Sequence, residues 1–218
     1  MTLSTKNRKN RVASELNETL REIERCTKCG NIYPNYAEAL DCRNKACTEF
    51  GVIEEWLPER VRTLFIAEAP PWRRPRYFYN EGAEDSLRTG LFSILKIGDL
   101  REFKDSGNFL IDAVKCRFNK GGKFIPKTII HTCSRSYLRK EIDALEPERI
   151  FVLGQTALVG LQTIFRDSSL GKYKSMIKSC GSEINVSGYD VIISLYPSDQ
   201  NRRYYHEMKE AFKKLTRK

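Results

Sequence analysis

Four short apolar segments, separated by segments of helical pattern, constrain the fold of this chain more than any other feature. The apolar runs lie at 63–67, 109–114, 150–153 and 191–195. Each has the length of a buried β-strand, and each is followed by apolar residues at helical spacing. This alternation predicts an α/β fold, a three-layer sandwich with a central four-stranded parallel sheet covered on both faces through right-handed crossovers.

The first 60 residues differ from the rest of the chain. An amphipathic helix is predicted from 12 to 25 by the apolar stripe Val12, Leu16, Leu20 and Ile23. It leads into Cys26 and Cys29, and the aperiodic segment that follows contains Cys42 and Cys47. We therefore predict a metal-tied, cysteine-rich segment over residues 1–60 and one compact α/β unit over residues 61–218.

The composition limits the classes of binding partner and the cellular compartment that we expect for this protein. The chain has 38 Lys and Arg against 28 Asp and Glu, a net charge of +10, which favours nucleic acid first and an anionic membrane surface second. No apolar stretch reaches the roughly 20 residues of a membrane span, and the first 25 residues lack the apolar centre of a signal peptide. We expect an intracellular monomer with no membrane partner.

The seven cysteines favour metal ligation over disulfides, because their number is odd and no secretory signal precedes them. By spacing alone, a tetrahedral zinc site formed by Cys26, Cys29, Cys42 and Cys47 is favoured, since nearby ligands cost less loop-closure entropy. Cys180 is expected to be an inert thiol. His131 and His206 lie on predicted helices and are expected to be packing or surface residues.

Ligands of parallel α/β sheets bind beyond the carboxyl ends of the strands. Glu68 follows the first strand, Asp112 lies in the second, and Tyr196 follows the fourth. A basic and aromatic loop, 72–80, also follows the first strand. Its cations suit phosphate contacts and its rings suit stacking on an unstacked base, although the rings could equally pack beneath the loop and the cations could be a solvated turn.

Several motifs, in this order along the chain, resemble the uracil-DNA glycosylase superfamily, most closely its iron–sulfur branch, family 4. Ala67-Glu68-Ala69-Pro70-Pro71 is similar to the first catalytic motif, G-E-A-P-G, and Tyr196-Pro197-Ser198 occupies the place of the second, H-P-S. Ala113-Val114-Lys115-Cys116-Arg117 resembles N-V-V-K-C-R. The cysteine–tyrosine–leucine helix at 133–138, the strand ending at Gly154, and the leading pair Cys26 and Cys29 also resemble that branch.

The resemblance implies roles for residues of the candidate site. Glu68 would activate water, Asp112 would read the base, and Tyr196 would assist the leaving group. The residues implied to line the base pocket are Ala67, Ala69, Tyr77, Phe78, Tyr79 and Asp112. Those implied to contact DNA are Arg73, Arg74, Arg76, Lys115, Arg117, Ser198, Gln200, Asn201, Arg202 and Arg203. The implied cofactor is a 4Fe–4S cluster on Cys26, Cys29, Cys116 and Cys133, with zinc as the alternative.

This chain departs from the family pattern at two positions. Asp112 replaces the base-reading asparagine. An ionised carboxylate offers only hydrogen-bond acceptors, so Asp112 suits an amino-bearing base only if its carboxyl group retains a proton. Tyr196 replaces the histidine of the second motif. The function predicted is base-excision hydrolysis of the N-glycosidic bond of a flipped uracil or another deaminated or damaged base. The alternatives are a non-catalytic nucleic-acid-binding member and a zinc-ribbon accessory protein.

Overall fold

The computed structural model describes residues 3–36, 38–43, 45–50, 52–119, 121 and 124–216. The α-helices are α1 Leu3–Glu24, α2 Lys28–Ile32, α3 Ala46–Glu49, α4 Val52–Trp56, α5 Ser86–Leu95, α6 Leu100–Asp105, α7 Lys127–Cys133, α8 Arg139–Leu145, α9 Gln155–Phe165, α10 Ser168–Gly171, α11 Met176–Ser179 and α12 Tyr205–Lys213. The strands are β1 Leu40–Asp41, β2 Thr63–Ala67, β3 Asn108–Asp112, β4 Arg117–Phe118, β5 Arg149–Leu153, β6 Glu183–Val186 and β7 Tyr189–Ser194.

The central sheet has the strand order β3-β2-β5-β7-β6. The four predicted strands are present as β2, β3, β5 and β7, and they run parallel to one another. Their middle residues are buried throughout, because a parallel sheet with helices on both faces exposes neither side to water. All four carboxyl ends consequently meet at one edge of the sheet.

The prediction of a four-stranded sheet was wrong by one strand. β6 pairs antiparallel with β7 at the edge of the sheet. The two strands are joined by a tight turn in which Ser187 and Gly188 both have positive φ, 51° and 89°. Because β6 alternates exposed and buried residues at a sheet edge, it lacks the continuous apolar run that marks the buried strands. The parallel core is otherwise as predicted.

Aromatic packing shows how one face of the sheet is covered. Phe65 of β2 and Phe151 of β5 are register partners, with ring centroids 5.3 Å apart. Phe103 of α6 lies 5.6 Å from Phe65, and Phe212 of α12 lies 4.3 Å from Phe151. Alternation along the strands sends the neighbouring side chains to the opposite face, where α9 packs on β2 and β5. The result is a three-layer arrangement.

The N-terminal helix packs on the α/β body. Val12 and Leu16 of α1 belong to the same buried core as the sheet residues, and α1 contacts α8. Arg11 pairs with Glu146, which ends α8 in a left-handed conformation, at 2.7 Å. The division of the chain at residue 60 stays a prediction.

The helical region from Lys127 to Leu145 contains a π-helical segment. Ser134–Leu138 has π geometry between α7 and α8. Its first turn packs tightly on α9, where a Cβ added to Gly160 would lie 2.9 Å from the Ser134 hydroxyl. The widened turn begins directly after Cys133, so it sets the direction of a predicted metal ligand. Among the described helices, none has the length and apolarity required to cross a membrane.

Candidate active site and cysteine cluster

Strands β2 and β3 bring Glu68 and Asp112 to the same edge of the sheet. Ala67, the last residue of β2, is the register partner of Asp112, the last residue of β3. The pairing continues beyond both strands, since the Val114 N–H donates to the Glu68 carbonyl oxygen at 3.0 Å. The main chain at Glu68 is therefore fixed by the sheet itself.

The carboxylate of Glu68 is oriented by helix α9. The Thr156 hydroxyl donates to Glu68 Oε1 at 2.7 Å. Thr156 lies in the first turn of this eleven-residue helix, whose positive dipole end favours a nearby negative charge. No sequence pattern singles out Thr156, because a threonine at the start of a predicted helix is usually interpreted as part of its capping.

Asp112 is held in a dry environment. Its side chain is 5% exposed, and burial raises its pKa to about 7. The Lys115 ammonium acts in the opposite direction, while the carboxylates of Asp85 and Glu141 raise the pKa further. Asp112 therefore changes its protonation state near neutral pH, and below that pH its carboxyl group can both donate and accept a hydrogen bond.

Asp85 is a site residue that the sequence did not reveal. It caps α5 by accepting a hydrogen bond from the Arg88 N–H at 2.8 Å, and this capping role is the only signal its sequence position carries. Its side chain is buried, and burial raises its pKa. Its charge acts on both Asp112 and Tyr196, so it belongs to the same group of acidic side chains.

Tyr196 completes this group. Burial raises the pKa of its phenol well above the usual value, and the neighbouring carboxylates of Asp85, Asp112 and Glu68 raise it further. The phenol consequently stays protonated and remains a hydrogen-bond donor. Its main-chain carbonyl oxygen accepts a hydrogen bond from the Asn201 amide at 2.8 Å. Asn201, predicted to contact DNA, thus has a positioning role here.

Gly90 of α5 allows the second motif, after β7, to lie close to that helix. A Cβ added to Gly90 would lie 2.4 Å from the Pro197 carbonyl oxygen, a separation that real structures do not tolerate. Only glycine at this position lets the loop after β7 lie against the helix. A lone glycine within a helical pattern is the signal that could have identified it, since such glycines often mark close packing.

The predicted base-stacking residues are buried. Tyr77, Phe78 and Tyr79 are each no more than 3% exposed. The Tyr79 hydroxyl bonds to the main chain of Leu110, and Phe78 packs edge-on against Phe103. The structure therefore favours the reading in which these rings pack beneath the loop, because none presents a face to solvent. Ala67 is buried and Ala69 is half-buried at the same edge.

Two predicted phosphate-binding residues occupy buried positions. Lys115 pairs with Glu141 at 2.5 Å, and both side chains are less than 5% exposed. Arg117 is fully buried, and its guanidinium donates to the carbonyl oxygens of Pro71 and Arg76. Neither side chain presents its charge to solvent, and their role in contacting DNA stays a prediction. Both side chains hold together the elements around the site.

The remaining predicted DNA contacts lie nearer the surface. Arg73, Arg74, Arg76, Arg202 and Arg203 are exposed, and Ser198 is half-buried. Arg74 is paired with Glu49 at 2.9 Å. Gln200 lies in a short 3-10 helix, Asp199–Tyr204, and its side chain falls outside the described residues. The exposed arginines come from the loops after β2 and β7, the strands that Glu68 and Tyr196 also follow.

Four cysteines from distant parts of the chain line one cavity. They are Cys26 and Cys29 from the N-terminal segment, Cys116 after β3, and Cys133 at the end of α7. The Lys115 N–H donates to the Cys133 sulfur at 3.2 Å. Lys45 also lines the cavity, and its ammonium group donates to the Cys26 carbonyl oxygen at 3.0 Å.

Cys42 and Cys47 separate in the structure. Cys42 Sγ lies 3.5 Å from Cys116 Sγ, next to the four-cysteine cavity. Cys47 lines a different small cavity together with Asp112 and Lys115. Cys47 thus lines a different cavity from Cys26 and Cys29, and the alternative zinc set stays a prediction. Within the described part of the chain, no three His, Cys, Asp or Glu side chains are placed to hold a single metal ion.

Three residues that were predicted to have no role in the site do not line the cysteine cavity. Cys180 is half-buried, 3.9 Å from the Ser194 hydroxyl. His206 is exposed on α12 and His131 is half-buried on α7, where burial lowers its pKa.

The chain is an α/β protein with a parallel sheet, acidic and phenolic side chains at the carboxyl edge of that sheet, and exposed arginines on the loops after β2 and β7. The family model for the uracil DNA glycosylase superfamily matches residues 55–218. The chain belongs to the uracil DNA glycosylase superfamily. No curated protein matches the chain.

Proposed function

We propose that this protein is a DNA glycosylase of base-excision repair, which hydrolyses the N-glycosidic bond of a base flipped out of the DNA. One observation carries the proposal: Glu68, Asp112 and Tyr196 lie at or just beyond the carboxyl ends of three parallel strands of one sheet, so they share one edge of it. A glycosylase requires its reacting groups to meet the base outside the helix, because the bond cannot be reached inside a duplex.

Glu68 is the residue proposed to activate water. Its carboxylate is fixed at two points, through the main chain by Val114 and through the side chain by Thr156. In the reaction, the C1′–N bond breaks and its electron pair leaves with the base. The water oxygen then bonds to C1′, and its proton passes to the Glu68 carboxylate. A fixed general base of this kind contributes about 10²- to 10⁴-fold in rate.

Tyr196 is proposed to stabilise the departing base. The base leaves with negative charge, and a preorganised donor lowers the energy of that charge in a site that excludes water. The raised pKa of the phenol keeps its proton in place. Gly90 and Asn201 position it, the first by admitting the loop and the second by holding the Tyr196 carbonyl oxygen.

Asp112 is proposed to set the base preference. When protonated, its carboxyl group offers one donor and one acceptor, which matches an amino group beside a ring nitrogen, as in cytosine or adenine. When ionised, it repels the O4 oxygen of uracil. With a pKa of about 7, the protonated form is available at neutral pH and below. We therefore expect a preference that is not simply for uracil.

Excision assays test the activity. Single-stranded and duplex oligonucleotides bearing uracil, hypoxanthine, xanthine or a mismatched base are incubated with metal-loaded protein, and abasic sites are then cleaved with alkali. We expect release of at least one base, and loss of that release in Glu68→Gln. Absence of cleavage on every substrate would contradict the proposed enzyme.

A non-catalytic DNA-binding role is the second candidate. It is favoured by the two replaced motif positions, Asp112 and Tyr196, since a member that had lost its chemistry would show such changes. Under this alternative the protein binds DNA with steep salt dependence and leaves every base in place. The same oligonucleotides, used in binding titrations beside the excision assay, separate the two candidates.

The proposed cofactor is a 4Fe–4S cluster held by Cys26, Cys29, Cys116 and Cys133, as in the family 4 branch. The fit is supported by the cavity that these four thiols share and by the N–H donated to the Cys133 sulfur, a contact that stabilises cluster thiolates. When bound, the cluster would supply a structural cross-link between the N-terminal segment and the α/β body.

Metal analysis of the purified protein tests this assignment. We expect iron and acid-labile sulfide with visible absorption, and loss of that absorption in Cys26→Ser and Cys116→Ser. Cys47→Ser and Cys180→Ser are the matched controls and should keep it, because neither thiol lines the shared cavity. Stoichiometric zinc without colour would contradict the cluster.

A further inference from the structure

Trp72 lies on the loop that follows Glu68 and the two prolines. Its side chain is 38% exposed, whereas Trp56, the other tryptophan of the chain, is only 9% exposed. Arg73 and Arg76 are exposed on the same loop. Aromatic rings interleaved with cations are the combination that single-stranded nucleic acid binds, because bases stack on the rings while phosphates contact the cations.

Hydrogen bonds and an ion pair from Arg117 and Glu49 hold the loop that carries Trp72. The buried Arg117 guanidinium donates to the carbonyl oxygens of both Pro71 and Arg76, at 2.8 Å for Arg76, and so ties together the two ends of the loop. Glu49 pairs with Arg74 at 2.9 Å and lies 3.7 Å from Arg117. A loop ordered before binding loses little entropy when a ligand docks on it.

The loop after the second motif lacks an equivalent side chain. The residues after Pro197 that were first predicted to contact DNA are Ser198, Gln200 and Asn201, all of them polar. These polar side chains contain no aromatic ring on which an unstacked base could stack. A stacking group for the DNA can come from another loop at this edge, and Trp72 is an exposed aromatic residue on the loop after β2.

We propose that Trp72 is a stacking platform for an unpaired DNA base beside the excision pocket, with Arg73 and Arg76 on the flanking phosphates. This inference rests on the proposed function, since it places DNA at the same edge of the sheet. It assigns the buried Arg117 as a positioning residue that holds the platform.

Tryptophan fluorescence tests the stacking directly. The chain contains two tryptophans, so Trp72→Phe leaves Trp56 as the single emitter. Titration of the metal-loaded protein with a single-stranded oligonucleotide at low salt should quench wild-type emission to a saturating level. The same titration should leave the emission of Trp72→Phe unchanged. Binding without any quenching in the wild type would overturn the platform.

Substitutions separate stacking from plain apolar contact. We expect Trp72→Ala to weaken single-strand binding by about 5- to 150-fold, the range that one stacked base contributes. Trp72→Phe should retain most of the affinity because it keeps a ring face. Trp72→Leu keeps apolar bulk without that face and should behave like Trp72→Ala. Equal affinity of the Leu and Phe variants would overturn stacking, and unchanged thermal midpoints verify that each variant is folded.

An excision assay under the same conditions distinguishes failure of this inference from failure of the proposed function. A wild-type protein that binds and is quenched but releases no base contradicts the glycosylase and supports the platform. A protein that releases a base while Trp72→Ala binds DNA as tightly as the wild type contradicts the platform alone.

Discussion

The carboxyl edge of the sheet has two parts that contrast in exposure. The floor consists of Glu68, Asp85, Asp112 and Tyr196, which are buried or half-buried. The rim consists of Trp72, Arg73, Arg76, Arg202 and Arg203, which are exposed. A dry floor strengthens the effect of each charge on its neighbours, while an exposed rim leaves cations free to meet phosphates. The two parts thus suit different steps, chemistry and docking.

The cations near this edge of the sheet show that burial, more than residue type, decides the role of each side chain. Lys115 and Arg117 lie beneath the site, paired with Glu141 and with main-chain carbonyl oxygens. Arg73 and Arg203 lie on the rim. A buried cation must be compensated by a partner, so it becomes a fixed structural element, whereas an exposed one keeps its freedom to bind an anion.

The strongest test of the floor is Glu68→Gln. Glutamine keeps an oxygen for the Thr156 hydroxyl but cannot take a proton from water, so excision should fall by about 10²- to 10⁴-fold while DNA binding is retained. Single-turnover rates and binding titrations measure the two quantities. Equal loss of both would mean that Glu68 acts in the structure and not in the chemistry.

The next largest effect is expected on stability, when the buried ion pair between Lys115 and Glu141 is broken. Lys115→Met leaves the buried Glu141 carboxylate unpaired and should lower the free energy of unfolding by about 3–5 kcal/mol. The double variant Lys115→Met/Glu141→Leu should recover much of this loss. Lys140→Met is the matched control, because its pair with Glu22 is exposed and is worth at most about 1 kcal/mol. Urea unfolding measures all of them, and equal losses at both lysines would refute the contrast.

Asp112 should make both stability and base preference depend on pH. Burial raises its pKa to about 7 in the folded protein, above roughly 4 in the unfolded chain. The folded state then holds the proton more tightly, so its contribution to stability is complete below pH ~4 and is lost as the pH rises towards 7. Asp112→Asn should remove this loss.

The same substitution should change the pH profile of excision. In the wild type, release of amino-bearing bases should decrease as the pH rises through about 7, because the carboxyl group loses its donor. In Asp112→Asn that step should disappear and uracil should be preferred. A wild-type profile that stays flat between pH 6 and 8, values chosen to bracket that pKa, would contradict the assignment.

The smallest expected effect belongs to the rim. Arg73→Ser and Arg203→Ser should each reduce the slope of log affinity against log salt by about 0.7 on single strands, the value for one phosphate contact. Arg139→Ser is the control, since Arg139 is exposed but paired with Asp143 on α8. If the control changes the slope by the same amount, the charge effect is general and the rim has no special role.

Local patterns predicted the parallel core well. The apolar runs of β2, β3, β5 and β7 identify buried strands because a strand covered on both faces must be apolar on both faces. Motif order likewise predicted that Glu68, Asp112 and Tyr196 would meet, since the carboxyl ends of parallel strands share one edge. β6 escaped prediction because an exposed edge strand carries no such signal.

Only the tertiary structure decided which side chains are dry. Lys115, Arg117 and Tyr77 look like surface contacts in the sequence, yet each is buried by elements that are distant along the chain. The same holds for the cysteines, since Cys47 is near Cys42 in sequence but lines another cavity, while Cys116 and Cys133 approach Cys26. The burial of a polar or thiol side chain depends on long-range packing, and residue spacing along a chain does not encode it.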